Sequence, residues 1–258
     1  MQLLPIRTRL IEPGDDLARI LADAGALEDG DIVAISSKAA AMAEGTLVAL
    51  QGMEVSTQAQ AWSDRLQRGH ADDAAFRQAI LEETERMHGH AIGDCPLAML
   101  TDLKPDGLTE GSILAANAGL DRSNVQDGYA IGWPHDPVET VRQLRRQLQE
   151  YSGKKVAVLL TDSCCRPRRI GVTAIALTVS GFDPIKDEIG KRDLFGKPLT
   201  MTQEAVADQF ATAANFLMGN ADESVPAAVL RDHGVPFTSY EGWVPGIEPE
   251  EDLFRGAI

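Results

Sequence analysis

Positive charge is what this sequence has least of: 24 Lys and Arg stand against 39 Asp and Glu, a formal net charge of −15 over 258 residues. A chain so acidic repels phosphate backbones and anionic headgroups, which excludes broad binding to nucleic acid or to a membrane surface. Small anions are not excluded, because a local basic pocket can oppose the global field. Cysteine is scarce as well. Cys95 stands alone and Cys164 and Cys165 are adjacent, so there is no disulfide framework, and a reducing cytoplasm is the expected setting. No apolar run is long enough to cross a bilayer, and the start "MQLLPIRTRLIEPGDD" lacks a signal-peptide layout. Neither GxxxxGK[ST] nor a strand-borne GxGxxG occurs, so the common nucleotide signatures are missing. HExxH and CxxC are missing too, and the five histidines are scattered, which argues against zinc. The 44% hydrophobic and 24% charged content is ordinary for a globular protein, and the length allows one large domain or two small ones.

The local patterns give an order of elements. "LLPIRTRLI" reads as a short extended segment closed by Pro13 and Gly14. Asp15 is expected to cap a helix whose Leu17, Ile20, Leu21 and Ala24 share a face. "IVAIS" is a buried-type strand, and residues from about Thr57 to Met87 read as one or two helices. "PLAMLTDL" and "SILAANAG" are expected as strands, followed by the long polar loop "LDRSNVQDGYAIGWPHDP", a form that often carries function. "VETVRQLRRQLQEYSG" is a helix stopped at Gly153. "VAVLLTD" and "GVTAIALTVSG" are strands. A last helix, "TQEAVADQFATAANFLMG", shows a stripe of Val206, Phe210, Ala213 and Leu217, and the tail from Ser239 reads as irregular. Strands come in neighbouring pairs with helices between blocks, so the expected fold class is α+β, a mixed α/β architecture, and not a doubly wound sheet.

With phosphate loops excluded, oxygen ligands at loop positions carry the chemistry. Asp162 ends "VAVLLTD", and Asp121 and Asn124 follow the strand "SILAANAG". Two carboxylates with neutral oxygens such as the Ser163 hydroxyl suit Mg²⁺ or Mn²⁺, hard cations commonly shared with nucleotide phosphates. The plain alternative is that each aspartate caps a turn. From Asp162 to Arg192, six basic residues outnumber four acidic ones, against the trend of the whole chain. Pro167 biases Arg166 towards an extended conformation, and guanidinium groups suit phosphate or carboxylate. Lys186 and Lys191 read better as surface ion pairs. Ser36 to Lys38 and the stretch 218–226, with Asn220 as an oxygen donor, are further polar candidates. Cys164 and Cys165 have no histidine nearby in sequence and read as small buried hydrophobes.

In order and from about residue 6 to residue 230, "EPGDDLARIL", "EDGDIVAISSKAAAMAEG", "AANAGLDRSNV", "TDSCCRPRRIGVTAIAL", "GKRDLFGKPL" and "ADQFATAANFLMGNADESVP" resemble the coenzyme F420-0:gamma-glutamyl ligases. The resemblance implies transfer of L-glutamate onto F420-0 and extension of a gamma-linked tail. It implies GTP as co-substrate, Mg²⁺ or Mn²⁺ at two sites, K⁺ as a helper, and an acyl-phosphate intermediate. It further implies two mixed domains and a homodimer, with F420-0, L-glutamate and GTP as the partners. The expected division is 1–95 plus about 185–258 for nucleotide, and about 96–184 for metal and substrate.

By position, the resemblance implies that Asp121, Asp162, Ser163 and Asn220 hold metal, and that Asp162 and Arg166 are catalytic. Nucleotide would meet Arg7, Thr8, Arg9 and Leu10, then Ser37, Lys38, Met42 and Asn124, and the loop through Met218, Gly219, Asn220, Ala221 and Asp222. The sequence departs from the family pattern at Met42, where a lysine is usual, at Cys165, where a glycine is usual, and at Arg168, where a tryptophan is usual. Same-fold ligation of another acceptor such as folate, metal-dependent phosphohydrolysis, and non-catalytic nucleotide binding are the rival readings.

Overall fold

A computed structural model describes residues 1–65, 73–92, 98–254 and 256; Cys95 lies outside them. The chain divides into two compact units. The first comprises Met1–Leu10, Asp16–Ser36 and Asp136–Val244, and the second Ile11–Asp15, Ser37–His135 and Pro245–Ile258.

The elements run β1 (Gln2–Ile6), α1 (Leu17–Ala24), β2 (Ile32–Ser36), α2 (Ser37–Glu44), β3 (Leu47–Ala49), α3 (Thr57–Asp64) and α4 (Asp73–Arg86). Three short strands follow, β4 (His90–Ile92), β5 (Leu100–Leu103) and β6 (Ile113–Ala116), then a 3₁₀ turn at Asn117–Gly119 and β7 (Tyr129–Ile131). The rest is α5 (Pro137–Ser152), β8 (Ala157–Cys165), β9 (Val172–Phe182), β10 (Lys186–Asp187), β11 (Gln203–Glu204), α6 (Val206–Met218), β12 (Ala227–Arg231) and β13 (Phe237–Trp243). The fold is α+β, as the clustering of strands predicts.

The first unit is built on a six-stranded sheet in the order β1-β12-β2-β8-β9-β13. Only β2 and β8 run parallel, and every other neighbouring pair is antiparallel. Alternation along the strands sends Ile32, Ala34, Ala157 and Leu159 to the face that packs on α6. Val33, Ile35, Val158 and Leu160 point the other way and are equally buried. There α1 packs on α5, and α5 lies against β8 and β9. A hydrogen bond from the buried Thr178 hydroxyl to Pro137 O (3.1 Å) ties that face to the start of α5. The apolar runs thus become a sheet sealed on both sides, which holds β8 rigid beneath its polar end.

The second unit holds α2 to α4, the two-stranded β3–β7 pair and the three-stranded sheet β4-β5-β6. Helix α4 packs on β4, β5 and the 3₁₀ turn.

Several expectations need correction. The expected segment 96–184 is not a unit of its own: β8 hydrogen-bonds β2 from Ile32↔Ala157 to Ser36↔Thr161, which binds residues 136–244 to the N-terminal strands. The cap of α1 is Asp16, which accepts from Arg19 N, whereas Asp15 accepts from Glu12 N. The buried stripe of α6 is Val206, Ala207, Phe210, Ala211, Ala214 and Met218; Ala213 and Leu217 lie at its margin. The tail is not wholly irregular, because β13 pairs with β9; a register shift between Phe237 and Glu241 breaks its alternation and hid the strand. Strand β8 also runs on past Asp162 to Cys165, so Asp162 is a strand residue opposite Ile175.

Candidate functional site

The residues singled out in the sequence fall into two sets, one on each unit. In the second unit the chain leaves β6 through Asn117, Ala118 and Gly119, all with positive φ (55°, 53° and 76°). Gly119 is required there, since a Cβ would lie 2.6 Å from the Trp133 ring. The turn delivers Asp121, whose backbone exchanges hydrogen bonds with Ile131 (2.8 and 2.9 Å). Its Oδ1 accepts from the backbone of Arg122 (2.6 Å) and Ser123 (2.9 Å). Its Oδ2 accepts from the Ser123 hydroxyl at 2.6 Å and from Lys38 Nζ at 2.5 Å. Lys38 also donates to Ser123 Oγ at 3.0 Å. Partial burial works to raise the Asp121 carboxyl, but the hydrogen bonds and charge of Lys38 and Ser123 outweigh it and hold the group below the usual carboxylate range.

Lys38 reaches this carboxylate because β2 passes directly into α2: Ser36 ends the strand, Ser37 is buried at the first helical position, and Lys38 follows. Met42 sits one turn further along the same helix, half-buried. Asn124, with φ of 55°, is exposed on the Asp121 loop.

That loop is clamped to α4. Arg122 Nη2 donates to the buried Asp73 at 3.0 Å, and its guanidinium lies 4.6 Å from the Phe76 ring centre. One turn on, Arg77 Nη1 donates to Asn117 Oδ1 at 3.1 Å, an oxygen that also accepts from Met99 N. One helix therefore holds both ends of the segment that presents Asp121.

In the first unit, β8 carries Asp162 and Ser163 side by side. Asp162 Oδ1 accepts from Ser163 N at 2.8 Å, and the Ser163 hydroxyl donates to Asn220 Oδ1 at 2.8 Å. Asn220 is there because α6 ends at Gly219, with φ of 72° and ψ of −172°. A Cβ on Gly219 would sit 2.1 Å from the Glu223 carboxyl carbon, so only glycine fits. Glu223 Oε2 accepts from Ala221 N at 2.8 Å and closes the loop on itself. The N-terminal segment docks on the same loop: Arg7 Nη1 donates to Glu223 O at 2.9 Å and Thr8 N to Ser224 O at 3.2 Å. Arg9 and Leu10 continue that segment at the surface. Ala221 and Asp222 are exposed, whereas the Met218 side chain is packed in the core against the sheet. Met218 therefore has only its backbone to offer a nucleotide.

Arg166 leaves the end of β8 and donates through Nε to Thr173 Oγ1 at 3.3 Å, the same oxygen that contacts Cys164 Sγ at 3.3 Å. Burial pushes the Cys164 thiol up from its ordinary value, but Cys164 is only half-buried and Cys165 is exposed, so the buried role expected for both does not hold. Asp208, in the first turn of α6, accepts from Ala176 N at 2.9 Å. Burial raises its carboxyl, and the Ala176 hydrogen bond and the Arg166 charge offset only part of that. Lys186 and Lys191 form ion pairs with Glu188 at 2.6 and 2.9 Å, the surface role expected for them.

Three contributors were not foreseen from sequence. Ser123, Asp208 and Asp73 are ordinary polar letters, and only the hydroxyl two residues after an aspartate, a common local turn pattern, offered a signal for Ser123. Among the described residues no three acidic, histidine or cysteine side chains gather as a metal cluster. The donor sets are instead oxygen-only and sparse: the Asp121 carboxylate with the Ser123 hydroxyl on one unit, and the Asp162 carboxylate beside the Ser163 hydroxyl and Asn220 amide oxygen on the other. That chemistry suits Mg²⁺ or Mn²⁺, which keep several ligands from water and phosphate, and it does not suit soft metals.

Comparison with known proteins gives a consistent result. A profile of the F420-0:gamma-glutamyl ligase family matches residues 5–232. The coenzyme F420:L-glutamate ligase of Methanopyrus kandleri is 36% identical over 248 residues, covering 96% of this chain and 87% of its own. The enzyme of the same name from Methanothermobacter thermautotrophicus is 35% identical over 258 residues, covering 96% and 95%. That from Methanosarcina acetivorans is 37% identical over 222 residues, covering 86% and 82%.

Proposed function

Because the chain belongs to the F420-0:gamma-glutamyl ligase family, an enzyme family of acid–amino-acid ligases, we propose that it adds L-glutamate by gamma-linkage to coenzyme F420-0 at the expense of GTP. The carrying observation is the pair of oxygen-donor sets. Asp121 with Ser123 lies on one unit, and Asp162 with Ser163 and Asn220 on the other. When bound, a divalent cation supplies charge neutralisation and Lewis acidity for phosphoryl transfer. Asp121, Asp162, Ser163 and Asn220 are the residues that would hold Mg²⁺ or Mn²⁺, and K⁺ is the expected helper.

In this reading the acceptor carboxylate attacks the γ-phosphorus of GTP, giving an acyl phosphate and GDP. The glutamate amine then displaces phosphate, and the amide forms as the amine proton is lost. The chain's own residues position and neutralise. Lys38 offers an ammonium, Arg166 an exposed guanidinium, and the loop after α6 offers the exposed backbone at Asp222. The segment Arg7 to Leu10 sits against that loop and would meet the nucleotide with it.

A homodimer is part of the proposal. The β10–β11 hairpin carries Leu194, Phe195 and Met201 at 102%, 89% and 82% exposure, an apolar tip that a second copy would cover. Among the described residues no helix is long and apolar enough to cross a membrane, and the paired free thiols Cys164 and Cys165 suit a reducing cytoplasm.

The test is mass spectrometry after incubation with F420-0, L-glutamate, GTP and Mn²⁺, with folate in a parallel reaction. A gain of one or more glutamyl units on F420-0 is the expected result. Gain on folate alone would replace the acceptor. GTP cleavage with no amide on either would replace the ligase by a hydrolase.

A further inference from the structure

The hairpin between β8 and β9 is built at a conformational cost. Arg169 N donates to Arg166 O at 3.1 Å, closing a turn with Pro167 at its second position and Arg168 at its third. Arg168 has φ of 57°. A turn with Pro second and a left-handed third residue normally places Gly or Asn third, and an arginine there is strained.

The charges around that turn are unusual in this protein. Arg86, Arg122, Arg142, Arg145 and Arg231 each pair with a carboxylate. Arg166, Arg168 and Arg169 are all exposed; the Arg166 charge acts on the Asp208 carboxyl, whereas among the described residues Arg168 and Arg169 show no ion pair. Arg166 donates through Nε to Thr173. Three cations in four positions, two of them without an ionic partner among the described residues, form a concentrated positive tip in a chain of net charge −15. Beside them Ile170 is fully exposed (107%) and Val172 half-exposed (48%), giving the tip an apolar flank.

Its distance from the reacting centre limits the ligand. Strand β8 runs straight from Ser163 to Cys165, so the tip starts about 10 Å beyond Ser163 at the rise of an extended chain. The loop after α6 meets β8 at Ser163, through Asn220, so a nucleotide held by this loop, as proposed above, would lie at that level of the strand. A molecule reacting there through a carboxylate would carry its other anionic groups outward to the arginines.

Resting on the ligase reading, we propose that Arg168 and Arg169 form the recognition site for the anionic remainder of the acceptor, either a phosphate or the carboxylates of an already attached gamma-glutamyl tail, with Ile170 against its apolar part. Guanidinium groups bind both anions in bidentate fashion. The strained Arg168 is kept because glycine, though easier for the turn, carries no charge.

The test uses the full-length Arg168→Gly/Arg169→Gln protein. Glycine fits the left-handed position, so its melting temperature should equal or exceed that of the unmodified protein. KM for the acceptor should rise about tenfold, as two partly solvated ion pairs are lost, while KM for GTP and for L-glutamate stays within about twofold. F420-0 and acceptors bearing one or two glutamyl units separate the sources. A penalty equal across the series assigns the tip to the phosphate, and one that grows with each unit assigns it to the tail carboxylates. An unchanged acceptor KM across the series, with unchanged dependence on salt, overturns the proposal. Absence of any amide product from the unmodified protein would instead overturn the ligase reading. In that event acceptor binding, followed by its fluorescence, still tests the tip: equal affinity of the two proteins would overturn it.

Discussion

Replacing Lys38 by methionine tests how the Asp121 carboxylate is held before any ligand arrives. Lys38 Nζ lies 2.5 Å from Asp121 Oδ2, a carboxylate oxygen proposed above for a divalent cation, and 3.0 Å from Ser123 Oγ. The ammonium would therefore compete with a cation bound there in the free protein, besides being a proposed nucleotide contact. The two side chains are 27% and 48% exposed, so their attraction is well screened. A charge-assisted hydrogen bond counts for about 1.5–3 kcal/mol when shielded, and an exposed ion pair for about 0.2–1 kcal/mol. About 1 kcal/mol is a fair value for this half-exposed case. Asp121 keeps its hydrogen bonds from Arg122 N, Ser123 N and Ser123 Oγ in the variant, so the loop should hold its shape. Removing the competitor should then tighten Mn²⁺ binding without nucleotide about fivefold, measured from the free-Mn²⁺ signal in paramagnetic resonance. GTP binding should weaken in the same protein. A folded Lys38→Met protein with weaker or unchanged Mn²⁺ affinity would refute the competition, since the lysine would then support the metal site or have no part in it.

The remaining predictions address the other carboxylates. Asp162→Ala should remove metal-dependent GTP turnover, by about 100-fold or more, with little change in melting temperature; turnover near the unmodified rate in a folded variant would remove Asp162 from the metal site. Asp73→Asn should raise the Mn²⁺ concentration needed for half-maximal activity, because Arg122 loses the buried charge that fixes the Asp121 loop, while KM for L-glutamate stays unchanged; an unchanged metal requirement would make the clamp a matter of stability alone. Asp208 has a raised carboxyl in the folded protein, caused first by burial, so its contribution to stability is fully present below the unfolded-state value and is lost as pH rises through the folded one. Asp208→Asn keeps an oxygen for Ala176 N, so it should match the unmodified protein in acid and exceed it in denaturant resistance at neutral pH. Equal stability of the two proteins at every pH would show that Asp208 carries no net burial cost.

What the sequence made legible follows from which forces act locally. The strands β2, β8 and β9 are buried apolar runs, and α5 carries its own signals, with Pro137 just inside its start, Asp136 capping it and Gly153 in the left-handed region at its end. Such elements are fixed by neighbours in the chain. The stripe of α6 was half-legible, because a run rich in alanine leaves the direction of the buried face to the sheet it meets. Strand β13 was hidden because its register shift breaks the period of two. The domain division was hidden for a deeper reason: the pairing of β2 with β8 joins residues more than a hundred positions apart, and no local pattern reports it.

The candidate residues divide in the same way. Asp121 and Asp162 stood out because a carboxylate at the end of an apolar run is visible in the letters alone. Their partners are visible only in three dimensions. Ser163 meets Asn220 because α6 must stop at Gly219, and Gly219 is fixed by the Glu223 carboxylate packed against it. Lys38 meets Asp121 because a strand passes without a loop into a helix. Sequence position thus picked out carboxylates as candidates for a cation, whereas the fold determines how each is restrained. Asp121 is already neutralised by an ammonium, and Asp162 hydrogen-bonds the backbone of its own strand. The two carboxylates should therefore differ in their response to added salt: screening weakens the Lys38 pair and leaves a backbone hydrogen bond nearly unchanged. Mn²⁺ occupancy measured separately in Asp121→Asn and Asp162→Asn proteins should show that difference. The site left intact in Asp162→Asn should lose less affinity with added salt than the site left in Asp121→Asn, because salt also weakens its competitor. Identical salt slopes would mean that Lys38 does not restrain Asp121 in solution.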